Sequence, residues 1–98
     1  MNIFDYTVPT EGEDFTTLFE QNDLRIVRIV SSDKLTGKEY CQEEDEWVLL
    51  LEGEAVLFVE GEEKRMEKGD NLFLSAKTKH RVVETEKGTL WLAIHIRP

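Results

Sequence analysis

Four consecutive acids, Glu43 to Glu46, run without a break into Trp47-Val48-Leu49-Leu50-Leu51. The apolar run reads as a strand buried on both faces. A carboxylate taken inside at the start of such a strand is costly unless it is paired or bound to a metal. One of the four acids is therefore a candidate for chemistry, and the other three read as a solvated loop. The chain has two histidines, His80 and His95. An imidazole beside a carboxylate can hold a divalent ion or pass a proton. His80 sits in Lys77-Thr78-Lys79-His80-Arg81, a local basic patch suited to drawing in an anionic ligand. His95 shares a strand face with Trp91 and Ala93, which lines either a cavity or a core. Cys41 reads as a buried, inert thiol.

The elements that position these residues are almost all strands. Leu24–Ser32 is strand-like, and Trp47–Leu51 and Ala55–Val59 are separated by Glu52-Gly53-Glu54, which predicts a three-residue hairpin. Further short strands follow around Lys64–Met66, Leu72–Ser75, Arg81–Thr85 and Thr89–Ile96, with turn residues between them. Short strands with regular turn signals indicate an all-β sandwich or barrel. One segment reads differently. Phe15, Leu18 and Phe19 stand at i, i+3 and i+4, which predicts a short helical turn.

Composition narrows the function classes. The 98 residues form one domain, 40% hydrophobic and 34% charged, with 12 basic and 21 acidic residues and a net charge of −9. Such a surface repels phosphate backbones, which argues against nucleic acid and anionic membranes as partners. No apolar run approaches the about 20 residues of a membrane span. The opening residues lack a basic-then-apolar leader, and a single cysteine makes no internal disulfide. The expectation is a cytoplasmic protein. Both faces of the Trp47 strand and of the closing strand are apolar, more than a domain of this size can cover alone, which predicts a homodimer, with the N-terminal segment folded over one face as the alternative.

Two stretches carry a family pattern. Glu46-x6-Gly53 matches the end of Gly-x5-His-x-His-x(3,4)-Glu-x6-Gly, and Gly69-x5-Ser75-x-Lys77-x2-His80-x3-Glu84 has the frame of Gly-x5-Pro-x-Gly-x2-His-x3-Asn. The chain thereby resembles the cupin superfamily, and in particular small single-domain bacterial cupins. The resemblance implies a jelly-roll barrel, or double-stranded β-helix. Residues 1–98 would form one cupin domain, with 1–22 an N-terminal extension bearing the helical turn and 23–98 the barrel.

The resemblance also implies a site. In the family two histidines, a glutamate and a third histidine bind a metal in the barrel mouth. Here Glu46 and His80 keep their places. A three-residue gap puts Gln42 and Tyr40 where the paired histidines belong, and a four-residue gap puts Cys41 and Glu39 there. Gln42, Glu46 and His80 are thus the expected ligands of a divalent ion such as Zn, Mn, Fe or Ni, with no organic cofactor indicated. Tyr40, Trp91 and His95 are the expected ligand-pocket residues. The implied function is binding of the metal and a small polar or anionic metabolite, with isomerase or epimerase chemistry through Glu46 and His80. The alternatives are a metal-free Glu46–His80 pair that moves protons, a structural contact between the two, and a non-catalytic binding or sensor module that has lost tight metal affinity.

Overall fold

The computed structural model describes residues 1–98, and its regular structure is entirely β. The strands are β1 Glu13–Gln21, β2 Leu24–Ser31, β3 Asp45–Glu52, β4 Glu54–Val59, β5 Glu62–Glu67, β6 Asn71–Leu74, β7 His80–Thr85 and β8 Thr89–Ile96. They form a five-stranded sheet in the order β1-β2-β8-β3-β6 and a three-stranded sheet in the order β5-β4-β7. All pairings are antiparallel. Strand alternation turns Val48, Leu50, Trp91 and Ala93 of the first sheet toward Ala55 and Leu57 of the second, and these buried side chains form the core.

The predicted helical turn is a strand. β1 pairs with β2 along its length, but the register slips between Thr17 and Phe19, leaving Leu18 as an extra residue. That bulge turns Phe19 to the face opposite Phe15. A strand with this break places its apolar residues at i, i+3 and i+4, the same spacing as a helix. Residues 13–21 therefore belong to the sheet.

The predicted hairpin at Glu52-Gly53-Glu54 is a corner instead. β3 and β4 lie in different sheets, and the chain crosses between them at Gly53. Gly53 has φ +91°, and a Cβ there would lie 2.5 Å from Thr89 Oγ1 and 2.9 Å from Thr89 Cα. Thr89, fully buried, begins β8 just after the chain has crossed back from β7, and its hydroxyl donates to Glu86 O at 2.7 Å. The two crossings are packed against each other, so the sheets meet at a fixed angle. The true hairpin joins β4 to β5 through Glu60-Gly61, both at positive φ (50° and 80°), as a two-residue turn requires.

The outer face of the large sheet is covered at one end only. The Arg28 guanidinium donates to Ile3 O and Asp5 O and lies 5.8 Å from the Tyr6 ring, so the N-terminal segment lies over this end. Further along, register partners set Phe19, Ile26, Ile94, Trp47 and Phe73 in one row across the strands. Phe19 and Phe73 are 45% and 57% exposed.

The close approach at Gly53 has a measurable consequence. Gly53→Ala is expected to lower stability by about 1–3 kcal/mol in urea unfolding, from a left-handed backbone and a clash with Thr89 together. An unchanged midpoint would show that the corner has room to spare.

Candidate functional site

Glu46 is the second residue of β3, and alternation turns it to the same face as Val48 and Leu50. It is 7% exposed. His95 is its register partner on β8, so the two side chains leave the same face of the large sheet side by side. His80 opens β7 in the small sheet and closes over the same carboxylate. Backbone bonds hold it there: Tyr40 N donates to His80 O at 2.7 Å, and His80 N donates to Tyr40 O at 2.9 Å. The Tyr40 ring stacks on the imidazole with centroids 5.8 Å apart.

These residues surround a cavity of about 80 Å³ that also takes in Glu13, Gln42, Phe15 and Trp91. Gln42 Nε2 donates to Glu46 Oε1 at 2.7 Å. The imidazoles lie farther away: His80 Nε2 is 3.9 Å from Glu46 Oε1, and His95 Nε2 is 3.7 Å from Oε2. Neither distance is a hydrogen bond. His80 Nδ1 stands 3.0 Å from Thr78 O, so it carries the proton and Nε2 presents a lone pair to the cavity in the neutral ring. His95 Nδ1 is buried without a hydrogen-bond partner, 3.6 Å from Glu44 Oε1. The floor of the cavity thus keeps hydrogen-bonding capacity that the protein itself does not use.

The acid run contributes more than expected. Glu43 is a surface residue, 4.0 Å from Lys77 Nζ. Glu44 accepts from Arg25 Nη2 at 2.8 Å and extends a chain of charged and titratable groups from Arg25 through Glu44 and His95 to Glu46. Asp45 Oδ1 accepts from Ala76 N at 2.7 Å and ties the start of β3 to the loop before β7. Only Glu43 behaves as the solvated acid that was expected of all three. Cys41 is exposed, not buried. Lys77, Lys79 and Arg81 do not line the cavity.

Glu13 was not anticipated, because the helical reading of its segment hid its strand direction. Its register partner is Ser31, whose hydroxyl donates to Glu13 Oε2 at 2.5 Å and accepts from Trp91 Nε1 at 2.9 Å. Burial pushes the Glu13 carboxyl up from 4.5, the Ser31 hydrogen bond opposes this in part, and the nearby Glu46 charge adds to the rise. The Tyr40 hydroxyl is also raised, by burial first and then by Glu13 and Glu46.

Imidazole and carboxylate are suitable donors for a first-row divalent ion. Their arrangement here is not that of a metal shell. An ion bonding each donor at about 2.0–2.2 Å in a tetrahedral shell sets neighbouring donors about 3.3–3.6 Å apart. The imidazoles instead face different oxygens of Glu46 at 3.7 and 3.9 Å, and Gln42 turns an N–H to the carboxylate. No group of three or more His, Cys, Asp or Glu side chains is placed to hold a metal ion. Gln42, Glu46 and His80 are brought together as expected, but they do not fit a metal as they stand.

The fold and the site meet in one family. The cupin domain model matches residues 29–95. The chain belongs to the cupins. It is similar to a protein from Ralstonia eutropha JMP134, provisionally named a mannose-6-phosphate isomerase, with 35% identity over 100% of this chain and 97% of that one and a TM-score of 0.90. KdgF from Halomonas sp. shares the fold at 21% identity and TM-score 0.82, with 96% and 88% of the two chains covered. The cupin domain of an XRE family transcriptional regulator from Enterobacter cloacae shares it at 13% identity and TM-score 0.76, with 90% and 99% covered. No curated protein matches the chain in sequence. No helix of this cupin is long and apolar enough to cross a membrane.

The raised Glu13 carboxyl makes stability depend on pH. Above 4.5 the unfolded chain releases a proton that the folded cupin keeps until pH passes the raised value. In that window the folded state binds more protons, so its stability falls as pH rises. Glu13→Gln removes this dependence. The variant is expected to melt at a higher temperature than wild type near neutral pH, with the difference vanishing below 4.5. A wild type that gains on the variant as pH rises would reverse the sign.

Proposed function

We propose that this cupin binds a small polar metabolite with a carbonyl or hydroxyl end in the cavity and that Glu46 moves a proton on it, an isomerase-type reaction. The observation that carries the reading is a buried carboxylate with an unbonded imidazole nitrogen facing each of its oxygens. A carboxylate in that setting can accept a proton, and the Gln42 N–H holds its Oε1 in place while the transfer proceeds. The provisional isomerase name of the 35% identical Ralstonia protein supports the same reaction class. The lining residues add a limit on the ligand. With no Lys or Arg side chain lining the cavity, the end of the ligand that enters is uncharged, and an anionic group belongs outside.

The competing reading is a binding module without turnover. Tyr40 and Gln42 in place of the family's histidine pair favour it. Hydrogen–deuterium exchange at carbon separates the two. A panel of short α-hydroxy aldehydes, ketoses and aldoses is incubated with the protein in D2O and followed by NMR. Wild type is expected to wash deuterium into one class, and Glu46→Gln to lose at least about a hundredfold of that rate. Saturable binding with no exchange across the panel would assign the binding module instead. Exchange that appears only with added Mn, Fe, Ni or Zn would restore the metal reading.

We further propose that a second copy covers the row from Phe19 to Phe73. The row runs across five strands, it carries no charge in a chain of net charge −9, and the N-terminal segment stops short of it. Light scattering is expected to give a dimer mass that falls to the monomer for Phe19→Ser/Phe73→Ser. A wild-type monomer at high protein concentration would remove the proposal.

A further inference from the structure

We propose that Glu13 serves the cavity as a neutral carboxylic acid, its proton on Oε1, and donates that proton to the ligand oxygen while Glu46 acts on the neighbouring carbon. The inference rests on the proton-transfer reading above and assigns its acid partner.

The hydrogen-bond directions fix where that proton sits. Trp91 Nε1 is only a donor, so Ser31 Oγ accepts from it, at 2.9 Å. The Ser31 hydroxyl proton is then free to point at Glu13 Oε2, 2.5 Å away. Ser31 is fully buried and Trp91 is 2% exposed, so this pair is fixed by the core rather than by solvent. Oε2 is thereby committed as an acceptor. A proton on Glu13 must sit on Oε1, which has no hydrogen-bond partner in the protein, and Glu13 lines the same cavity as Glu46. The groups around Glu13 disfavour its charge on balance. Glu46 and Tyr40 share the cavity, no Lys or Arg lines it, and Lys38, which lines a second depression together with Glu13, sets its Nζ 5.4 Å from the Tyr40 ring and makes no ion pair with Glu13. His80 and His95 face Glu46. Two carboxyl groups thus line one small cavity, an arrangement that disfavours ionising both and divides the roles of base and acid between them.

The step balances without another reactant. On an α-hydroxy carbonyl ligand, Glu46 takes the proton from the hydroxyl-bearing carbon. The C–H electron pair forms a C=C bond, the carbonyl π pair moves to its oxygen, and that oxygen takes the Glu13 proton. Return of the Glu46 proton to the former carbonyl carbon, and of the other hydroxyl's proton to Glu13, completes the isomerisation and restores both groups.

The protonation state can be read without any ligand. Infrared difference spectra of the full chain, wild type minus Glu13→Gln at neutral pH, are expected to show a protonated-carboxyl C=O band that belongs to Glu13. Its titration midpoint is expected to fall in Glu46→Gln, which removes a repelling charge, and to rise in Ser31→Ala, which removes a donor to the carboxylate. A difference spectrum with only carboxylate bands would overturn the inference, whatever the protein's activity. With a responsive ligand from the exchange panel, Glu13→Gln is expected to lose tenfold or more in kcat with a smaller change in KM. Equal kcat in the two proteins would also overturn it. If no ligand exchanges even with wild type, the isomerase reading fails and the proton-donor role fails with it, while the band still decides whether Glu13 is protonated.

Discussion

The structure turns on the burial of one carboxylate. Glu46 is taken out of water at the start of the strand that carries Val48 and Leu50 into the core. Left alone there, its charge would cost several kcal/mol. Gln42 answers that cost in part with one amide N–H, and an imidazole from each sheet closes over the carboxylate without bonding to it. The answer requires both sheets to be in register at the mouth, since His95 comes from β8 and His80 from β7. At the other end of β3, the corner at Gly53 packs against Thr89, where the chain crosses back between the sheets. The site couples the sheets at the mouth, and the corner couples their crossings.

The imidazoles stop short of the carboxylate. At 3.7 and 3.9 Å they are near enough to feel its charge and too far to bond to it, so the buried polar groups are left with unused capacity facing a small cavity. In a fold stabilised by core burial, unused polar capacity points to a ligand. Of the residues that the resemblance offers at the family's histidine positions, Tyr40 and Gln42 line the cavity. One packs on His80 and the other donates to Glu46, so both positions now support the remaining groups instead of competing with them for a metal. Glu13, reaching the cavity from the edge strand, adds a carboxyl that burial and the nearby Glu46 charge push toward its protonated form.

Much of this was legible in the sequence. Period-two strands and their turns identified an all-β barrel, and the spacings Glu46-x6-Gly53 and Gly69 to His80 marked the family and two members of the site. What escaped did so for local reasons. A single bulged residue, Leu18, gave β1 the apolar spacing of a helix and concealed Glu13. Glu52-Gly53-Glu54 has the composition of a hairpin, and only the approach of Thr89 from far along the chain makes it a corner. Glu44 looked like a solvated acid because its partners, Arg25 and His95, lie on strands distant in sequence. His95 was a candidate on its face alone, and the antiparallel register with β3 is what sets it beside Glu46.

We propose that Glu46 sits between two imidazoles that hold no metal and stand open to a ligand. Long-range 1H–15N spectra of the two histidine rings test it most directly. At mildly alkaline pH the account predicts a neutral His80 ring protonated at Nδ1, held by the Thr78 carbonyl, with an unliganded Nε2 and no change on adding EDTA. Nε2 resonances that are shifted or broadened and return to free-imidazole positions with EDTA would show a metal between the rings, and would contradict it.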